Sequence, residues 1–170
     1  MTHGARIVVV SDRAHEGVRP DATGPLLVQE LEKQGYVLRS DPIVIVPDVA
    51  DVIEQRLLSC AADPTVQFIV TTGGTGVSAR DVTPEATRRV LDRELPGFGE
   101  VMRLESRRST KLAAASRAVA GLRGDTLIVN LPGSPRGAVE CLSFIHEPAR
   151  HVLDVTHGTV TDCGPARGEV

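Results

Sequence analysis

Two glycine-rich segments are the clearest candidates for chemistry in this sequence of 170 residues. The first, Thr71–Gly76, reads TTGGTG, and we name it the Gly73 loop; the second, Asn130–Pro135, reads NLPGSP, and we name it the Gly133 loop. Because glycine has no Cβ, backbone N–H groups in such segments can close around an anion. Helices that begin near Thr83 and Ser134 would add the positive ends of their dipoles. The two loops therefore predict a site for a phosphate-bearing ligand.

Two aspartates are predicted to lie at the same edge of the molecule as these loops. Asp48 follows the apolar run at 43–46, and Asp81 lies in the long connection between the Gly73 loop and Thr83. Mg²⁺ prefers carboxylate oxygens together with substrate phosphates, so the pair predicts a magnesium site. An alternative stays open from the residues alone: the glycines form tight turns and the aspartates cap helices.

Other phosphate-binding and catalytic motifs fit less well. No lysine follows either glycine loop, which excludes the P-loop pattern. Gly74–Ala79 matches the dinucleotide pattern, but the helix signal at Pro84 comes too late and the ribose-binding acid is missing. His146 and His151 are five residues apart, whereas a zinc-binding helix needs a spacing of four. The sequence contains no G-x-S-x-G motif, so a hydrolase triad is disfavoured.

Composition excludes several classes of protein. The net charge is −3, and the aromatic residues are one tyrosine and three phenylalanines, which argues against a nucleic-acid binder. The cysteines number three, with no C-x-x-C pair, so we expect no disulfide framework. The chain shows neither an apolar leader nor an apolar run long enough to span a membrane. We therefore expect a cytoplasmic protein with no membrane partner.

Segments typical of strands and of helices alternate along the chain. Short β-branched runs predict strands at 7–10, 43–46, 68–70 and 126–129. Helical spacing, or proline after a hydroxyl residue, predicts helices near 26–33, at 52–60, from 83, and over 136–145, with a short one at 97–106. Thr23, Thr83 and Ser134 are the predicted N-caps, and Gly35 is the predicted stop of the first helix.

This alternation predicts an α/β fold with a mostly parallel sheet and helices on both faces. The residues at 121–125 predict the turn of an antiparallel hairpin at one edge of the sheet. Ligands bind such sheets beyond the carboxyl ends of the strands, and both glycine loops follow strands. Residues 1–157 are predicted to form one domain, and 158–170, which lack periodicity, a flexible tail.

The motifs together resemble a known family, the molybdopterin adenylyltransferases of molybdenum cofactor synthesis (MogA/MoaB-like proteins). The resemblance extends over about residues 6–155. It depends on the order and spacing of several segments, namely Ser11–Arg13, Asp21–Pro25, Thr71–Gly76, Arg80–Ala86, Pro96–Glu100, Ser116–Gly121 and Leu131–Pro135.

The resemblance implies a three-layer α/β/α sandwich that uses Mg²⁺ and ATP to adenylylate the terminal phosphate of molybdopterin, with release of pyrophosphate. It also implies a homotrimer, with a hexamer as the alternative, and a downstream molybdenum-insertion enzyme as a partner. A family member that carries molybdopterin without turnover is the alternative function. Such a carrier would not need two carboxylates at the phosphate site.

The site residues follow from matching the segments one by one. Asp48 and Asp81 match the catalytic, metal-binding carboxylates, and Ser116 matches a hydroxyl on the pterin side. The full set of predicted binding residues is Ser11, Thr72, Gly73, Gly74, Thr75, Gly76, Ser116, Pro132, Gly133 and Ser134. We expect Gly74→Val to block nucleotide binding without harming the fold. We also expect Thr83, as the helix cap, to leave Asp81 free to face the cleft.

Overall fold

The computed structural model describes residues 2–159, which form six strands and seven α-helices. The strands are β1 (Gly4–Val10), β2 (Val37–Val46), β3 (Phe68–Thr72), β4 (Arg93–Glu94), β5 (Ala120–Arg123) and β6 (Thr126–Leu131). The helices are α1 (Asp12–His15), α2 (Gly24–Lys33), α3 (Ala50–Ala61), α4 (Thr83–Val90), α5 (Pro96–Ser106), α6 (Pro135–Phe144) and α7 (His146–Thr156). A 3₁₀ helix spans Lys111–Ala115. No helix within residues 2–159 is long and apolar enough to cross a membrane.

One sheet organises the molecule, with the strand order β2-β1-β3-β6-β5-β4. The first four strands of this order run parallel, while β5 runs antiparallel to β6, and β4 antiparallel to β5. The predicted fold class and the hairpin are confirmed. The hairpin turns at Gly124 and Asp125, however, because residues 121–123 lie in β5, and β4 rather than the hairpin forms the edge of the sheet. The chain leaves β1 toward β2 on one side and then returns to place β3 on the other. The strand order therefore reverses between β1 and β3, where ligands bind in such folds.

The central parallel strands β1, β3 and β6 are buried on both faces, as their β-branched runs predict. Ile7 and Phe68 point into a core that includes residues of α2, α5, α6 and α7. Val8 and Ile69 point into a second core that includes residues of α3 and α4. Alternate residues of a strand face opposite sides, so these two cores make the three layers of a sandwich.

The predicted N-cap positions of Thr23 and Ser134 are confirmed and that of Thr83 is wrong, while none of the three side chains forms a capping hydrogen bond. Thr23 and Ser134 precede α2 and α6 but cap neither helix with a side-chain hydrogen bond, and Val82, not Thr83, precedes α4. The Thr23 hydroxyl donates instead to the Gly133 carbonyl at 3.2 Å, and the Thr83 hydroxyl donates to the Gly73 carbonyl at 2.9 Å. These hydroxyls lie beside loops whose carbonyls need donors, so they bind the loops rather than their own helices.

Five elements or parts of elements escaped prediction: α1, α7, β4, the 3₁₀ helix at Lys111–Ala115 and the first half of β2. Pro148 does not prevent α7, because it stands in the first turn, where a missing N–H is tolerated. The spacing of Ala149 and Leu153, both buried, is the helical signal that was overlooked.

The expected stop at Gly35 agrees with the end of α2 at Lys33. The predicted tail lies, from residue 160, outside the described residues.

A buried amide ties β6 to its neighbours just before the Gly133 loop. Asn130 is fully buried, and its Nδ2 donates to the hydroxyls of Thr71 at 3.0 Å and Thr87 at 2.9 Å. Its Oδ1 accepts from the backbone N–H of Val119 at 3.3 Å. One side chain therefore fixes the ends of β3 and β6, helix α4 and the strand-edge segment before β5 relative to one another.

Candidate active site

The two glycine loops meet at the carboxyl ends of β3 and β6. The backbone N–H of Gly73 donates to the carbonyl of Leu131 at 3.4 Å, and the Thr72 hydroxyl donates to the carbonyl of Pro132 at 2.7 Å. A Cβ added to Gly133 would lie 3.2 Å from Gly73 Cα. The loops are therefore adjacent backbones held by direct hydrogen bonds, as their positions after neighbouring strands predict.

Gly73 and Gly74 require glycine because both adopt left-handed backbone angles, with φ of +101° and +61°. A Cβ on Gly73 would collide with the carbonyl of Val10, and one on Gly74 would overlap the Thr83 hydroxyl. The backbone N–H of Thr83 also donates to the carbonyl of Gly74, at 3.1 Å. The Gly73 loop is thus folded tightly against the start of α4. The expectation that Gly74→Val spares the fold is therefore wrong.

A first cavity of about 190 Å³ opens at the point where the strand order reverses. We name it the Ser11 cavity. It lies between the end of β1 and the Gly73 loop, and Asp21 and Thr23 line its outer side. Asp21 accepts from the backbone N–H groups of Thr23 at 2.9 Å and of Gly24, which fixes this outer wall. The predicted binding residues that line it are Ser11, Thr72, Gly73 and Gly133.

A second cavity of about 360 Å³ lies on the other side of the same loops. We name it the Ser116 cavity. Apolar side chains contribute much of its lining, among them Met102, Leu112 and Cys141. The predicted binding residues that line it are Thr75, Gly76, Ser116, Pro132 and Ser134. Gly74 lines neither cavity, so the predicted residues divide between two adjoining sites rather than surrounding one.

The two predicted carboxylates lie against the Gly73 loop and line neither cavity. A Cβ added to Gly74 would lie 3.2 Å from Asp48 Oδ1, and a Cβ added to Gly76 would lie 3.0 Å from Asp81 Oδ2. One oxygen of each is engaged by a backbone N–H: Asp12 donates to Asp48 Oδ2 at 2.8 Å, and Ser78 donates to Asp81 Oδ2 at 2.7 Å. Both carboxylates are therefore held in place beside the same short loop.

Asp12 forms a reciprocal pair with Asp48 that the sequence did not reveal. The backbone N–H of Asp48 donates to Asp12 Oδ1 at 2.9 Å, and Arg80 Nε donates to Asp12 Oδ2 at 3.1 Å. These donors hold the pKa of Asp12 below its usual value. Burial raises the pKa of Asp48, and the charges of Asp12 and Asp81 raise it further. Asp48 thus carries a negative charge that its surroundings disfavour and that a cation would stabilise.

Arg117 is the other residue of the site that sequence reasoning missed. Its backbone N–H donates to the carbonyl of Thr75 at 3.0 Å, and its Nε donates to the carbonyl of Gly76 at 2.6 Å. It follows Ser116 within one of the segments that carry the family resemblance, and that position was the available signal. Its partners are backbone carbonyls distant in sequence, which no residue pattern identifies.

The polar groups at this site are suited to bind phosphate anions and hard cations. Among residues 2–159, no group of three or more histidines, cysteines, aspartates or glutamates is placed to enclose a metal ion. The candidate cation ligands are the two separate carboxylates of Asp48 and Asp81. A cation held by one or two carboxylates completes its shell with water and ligand phosphates, as Mg²⁺ does.

The chain is similar to known proteins over most of its length. The family model described as "Probable molybdopterin binding domain" matches residues 6–151. The molybdopterin adenylyltransferase of Helicobacter pylori strain J99 is 39% identical over 156 residues, 89% of this chain and 86% of that protein. The molybdopterin adenylyltransferase of Escherichia coli K12 is 40% identical over 152 residues, which cover 89% of this chain and 77% of that protein. The solved structure of the molybdopterin biosynthesis enzyme MoaB from Thermus thermophilus has a TM-score of 0.84 at 43% identity, with 92% of this chain and 98% of that chain covered.

The tight fold of the Gly73 loop predicts a large stability cost for a side chain at Gly74. Left-handed strain and overlap with the Thr83 hydroxyl are expected to lower the free energy of unfolding by about 2–4 kcal/mol in Gly74→Ala. Gly97→Ala is the matched control, because a Cβ at Gly97 meets no atom within 4 Å. Urea unfolding measures both. Equal midpoints for the two variants would contradict the proposed packing of the loop.

Asp12 and Asp48 are expected to affect stability with opposite signs. The lowered pKa of Asp12 contributes stability that is present above its ordinary value of 3.8 and is lost as the pH falls below it. The raised pKa of Asp48 destabilises the folded state at neutral pH, and this penalty vanishes as the pH falls below 3.8.

The expected result is that Asp12→Asn lowers the melting temperature at about pH 7 and Asp48→Asn raises it, with both differences shrinking toward about pH 3. Differential scanning calorimetry across this range measures the effect. Asn can still accept the backbone hydrogen bond at either position, whereas the hydrogen bond from Arg80 to Asp12 is lost together with the charge. A shift in the same direction for both variants at neutral pH would show that the electrostatic account is wrong.

Proposed function

The chain belongs to the molybdopterin-binding family of molybdenum cofactor biosynthesis, and on that premise we propose that it is a molybdopterin adenylyltransferase. It transfers the AMP group of ATP to molybdopterin. An oxygen of the terminal phosphate of molybdopterin forms a bond to the α-phosphorus of ATP. The bond from that phosphorus to the bridging oxygen breaks, and pyrophosphate leaves with the electron pair.

The observation that carries this proposal is a pair of cavities that share the Gly73 loop, with two carboxylates beside that loop. A transferase must hold two substrates with their reacting phosphates together, and adjoining cavities on one loop supply that arrangement. We assign the larger, more apolar Ser116 cavity to the pterin and the Ser11 cavity to the nucleotide side. The phosphates of both substrates then meet at the Gly73 loop.

The residues of the chain act on this reaction by positioning and by charge. Backbone N–H groups of the glycine loops bind phosphate oxygens, and the start of α6 adds the positive end of its dipole. Transfer of this kind needs alignment and stabilisation of charge rather than a covalent nucleophile from the protein. The absence of a triad motif from the sequence is consistent with that requirement.

Asp48 and Asp81 would hold Mg²⁺ in this mechanism. Their oxygens suit a hard cation, and the raised pKa of Asp48 marks a negative charge that lacks sufficient compensation from the protein. The ion would neutralise charge on the ATP phosphates when it is bound. ATP as the nucleotide follows from the adenylyl group that the proposed reaction transfers.

Turnover is expected to depend on the charge of both carboxylates. Asp81→Asn and Asp48→Asn should each lower pyrophosphate release by about 10²-fold or more, since neutralisation of phosphate charge contributes several kcal/mol. Molybdopterin binding should persist, because neither carboxylate lines the Ser116 cavity, which we assign to the pterin. Asp51→Asn, which changes a carboxylate 82% exposed on α3, is the matched control and should keep its activity.

The measurement is release of pyrophosphate from ATP and Mg²⁺ that depends on added molybdopterin, together with the affinity for molybdopterin. If wild-type protein binds molybdopterin and releases no pyrophosphate, the carrier function replaces the transferase. Near-normal turnover in Asp81→Asn would remove that residue from the catalytic set.

We also propose that the protein assembles as a closed symmetric oligomer, a trimer by analogy with the family, with a hexamer as the alternative. Val77 and Leu112 are 77% and 82% exposed at the opening of the Ser116 cavity, which supports contact with another chain there. Light scattering at micromolar concentration should give three times the monomer mass, and a monomer would refute the proposal. A cytoplasmic location and a molybdenum-insertion enzyme as partner stay predictions.

A further inference from the structure

Arg117 is hydrogen-bonded at every side of its guanidinium group to the segment that carries Asp81. Nε donates to the carbonyl of Gly76 at 2.6 Å, and one terminal nitrogen donates to the carbonyl of Asp81 itself. The other terminal nitrogen pairs with the carboxylate of Glu85 in the first turn of α4. A single side chain thus binds both ends of the stretch 76–81 and the helix that follows.

The stretch between these ends has few other attachments. Residues 77–80 are all exposed. Asp81 and Ser78 close a turn, in which the backbone N–H of Ser78 donates to Asp81 Oδ2 at 2.7 Å and the N–H of Asp81 donates to the Ser78 carbonyl at 2.9 Å. Arg80 reaches Asp12, but its side chain is 59% exposed. The place of this turn relative to the Gly73 loop therefore depends on Arg117.

We propose that Arg117 is a positioning residue for adenylyl transfer, which sets the Asp81 carboxylate beside Gly76 by binding the carbonyls of both residues. The inference rests on the proposed function. Arg117 does not touch a reacting group; it acts through Asp81. Because Ser116 lines the Ser116 cavity and Arg117 follows it directly, the same short segment forms part of the proposed pterin site and holds the carboxylate that lies beside Gly76.

Arginine suits this task through its geometry as well as its charge. A planar guanidinium presents several N–H groups in a fixed fork, so it can satisfy acceptors that lie in different directions at once. Lysine carries a point charge on a flexible stem and cannot hold three such acceptors in the same geometry. The ion pair with Glu85 is 45% exposed on the glutamate side, and exposed pairs contribute little. The two carbonyl contacts are the ones that matter.

The test compares Arg117→Met and Arg117→Lys with Arg88→Met in the full-length protein. Arg88 is a matched control because it lies on the neighbouring α4, where its side chain makes one exposed ion pair, with Glu94 at 2.8 Å. Hydrogen exchange of the amides of residues 76–82 reports the order of the turn. We expect about 10-fold faster exchange there in Arg117→Met, a smaller increase in Arg117→Lys, and no change in Arg88→Met.

Two further readouts separate positioning from a merely structural role. The affinity for ATP, measured by equilibrium dialysis, should fall severalfold in Arg117→Met when Mg²⁺ is present and stay unchanged without it, because only the cation involves Asp81. The kcat should fall by about 10–100-fold with the KM for molybdopterin within about twofold of wild type. Arg117→Lys should restore part of both losses.

The proposal is overturned if exchange in the 76–82 segment is equal in Arg117→Met and Arg88→Met. It is also overturned if the turn loosens while the Mg²⁺-dependent affinity for ATP stays at the wild-type value. If wild-type protein releases no pyrophosphate, the proposed function fails by itself. Exchange and Mg²⁺-dependent ATP binding then still decide for or against Arg117, so the two failures are distinguishable.

Discussion

The left-handed backbone at Gly73 and Gly74 is the constraint on which the whole site depends. It turns the chain sharply as it leaves β3, against the Val10 carbonyl on one side and the Thr83 hydroxyl on the other. Because of this turn, the loop presents one side to the Ser11 cavity and the other to the Ser116 cavity. A residue with a Cβ at either position would collide with one of these neighbours, so the turn requires glycine.

The carboxylates show a second constraint, which is electrostatic. Burial is the main cost to the charged form of Asp48, and the charges of Asp12 and Asp81 add to it. At Asp12, by contrast, the backbone N–H of Asp48 and the Arg80 guanidinium favour the charged form. Asp48 is therefore the carboxylate whose negative charge its surroundings disfavour. A site that holds an uncompensated negative charge beside a phosphate-binding loop is suited to bind a cation with its anion.

The sequence was informative wherever structure depends on local pattern. The β-branched runs predicted the parallel strands, because a strand that is buried on both faces needs apolar residues at successive positions. The glycines predicted the loops, because a residue without a Cβ allows the close backbone approach that the structure shows. Helix caps could not be predicted as well, because a threonine hydroxyl binds whichever acceptor is near, and Thr83 finds the Gly73 carbonyl. The reciprocal Asp12–Asp48 pair joins residues that are distant in sequence. Only the fold brings such partners together.

Three threonine hydroxyls, two of them on predicted helix caps, explain how the site is assembled. Thr23, Thr72 and Thr83 each donate to a carbonyl of the Gly73 or Gly133 loop. All three are buried, so each bond satisfies a loop carbonyl that would otherwise lie away from water. Helices α2 and α4 therefore begin against the loops, because Thr23, which precedes α2, and Thr83, the first residue of α4, bind the loop carbonyls. The inner part of the site is thus formed by the fold itself, whereas the exposed stretch 77–80 is attached mainly at its ends. That contrast places the adjustable part of the site at Asp81 and the fixed part at the glycines.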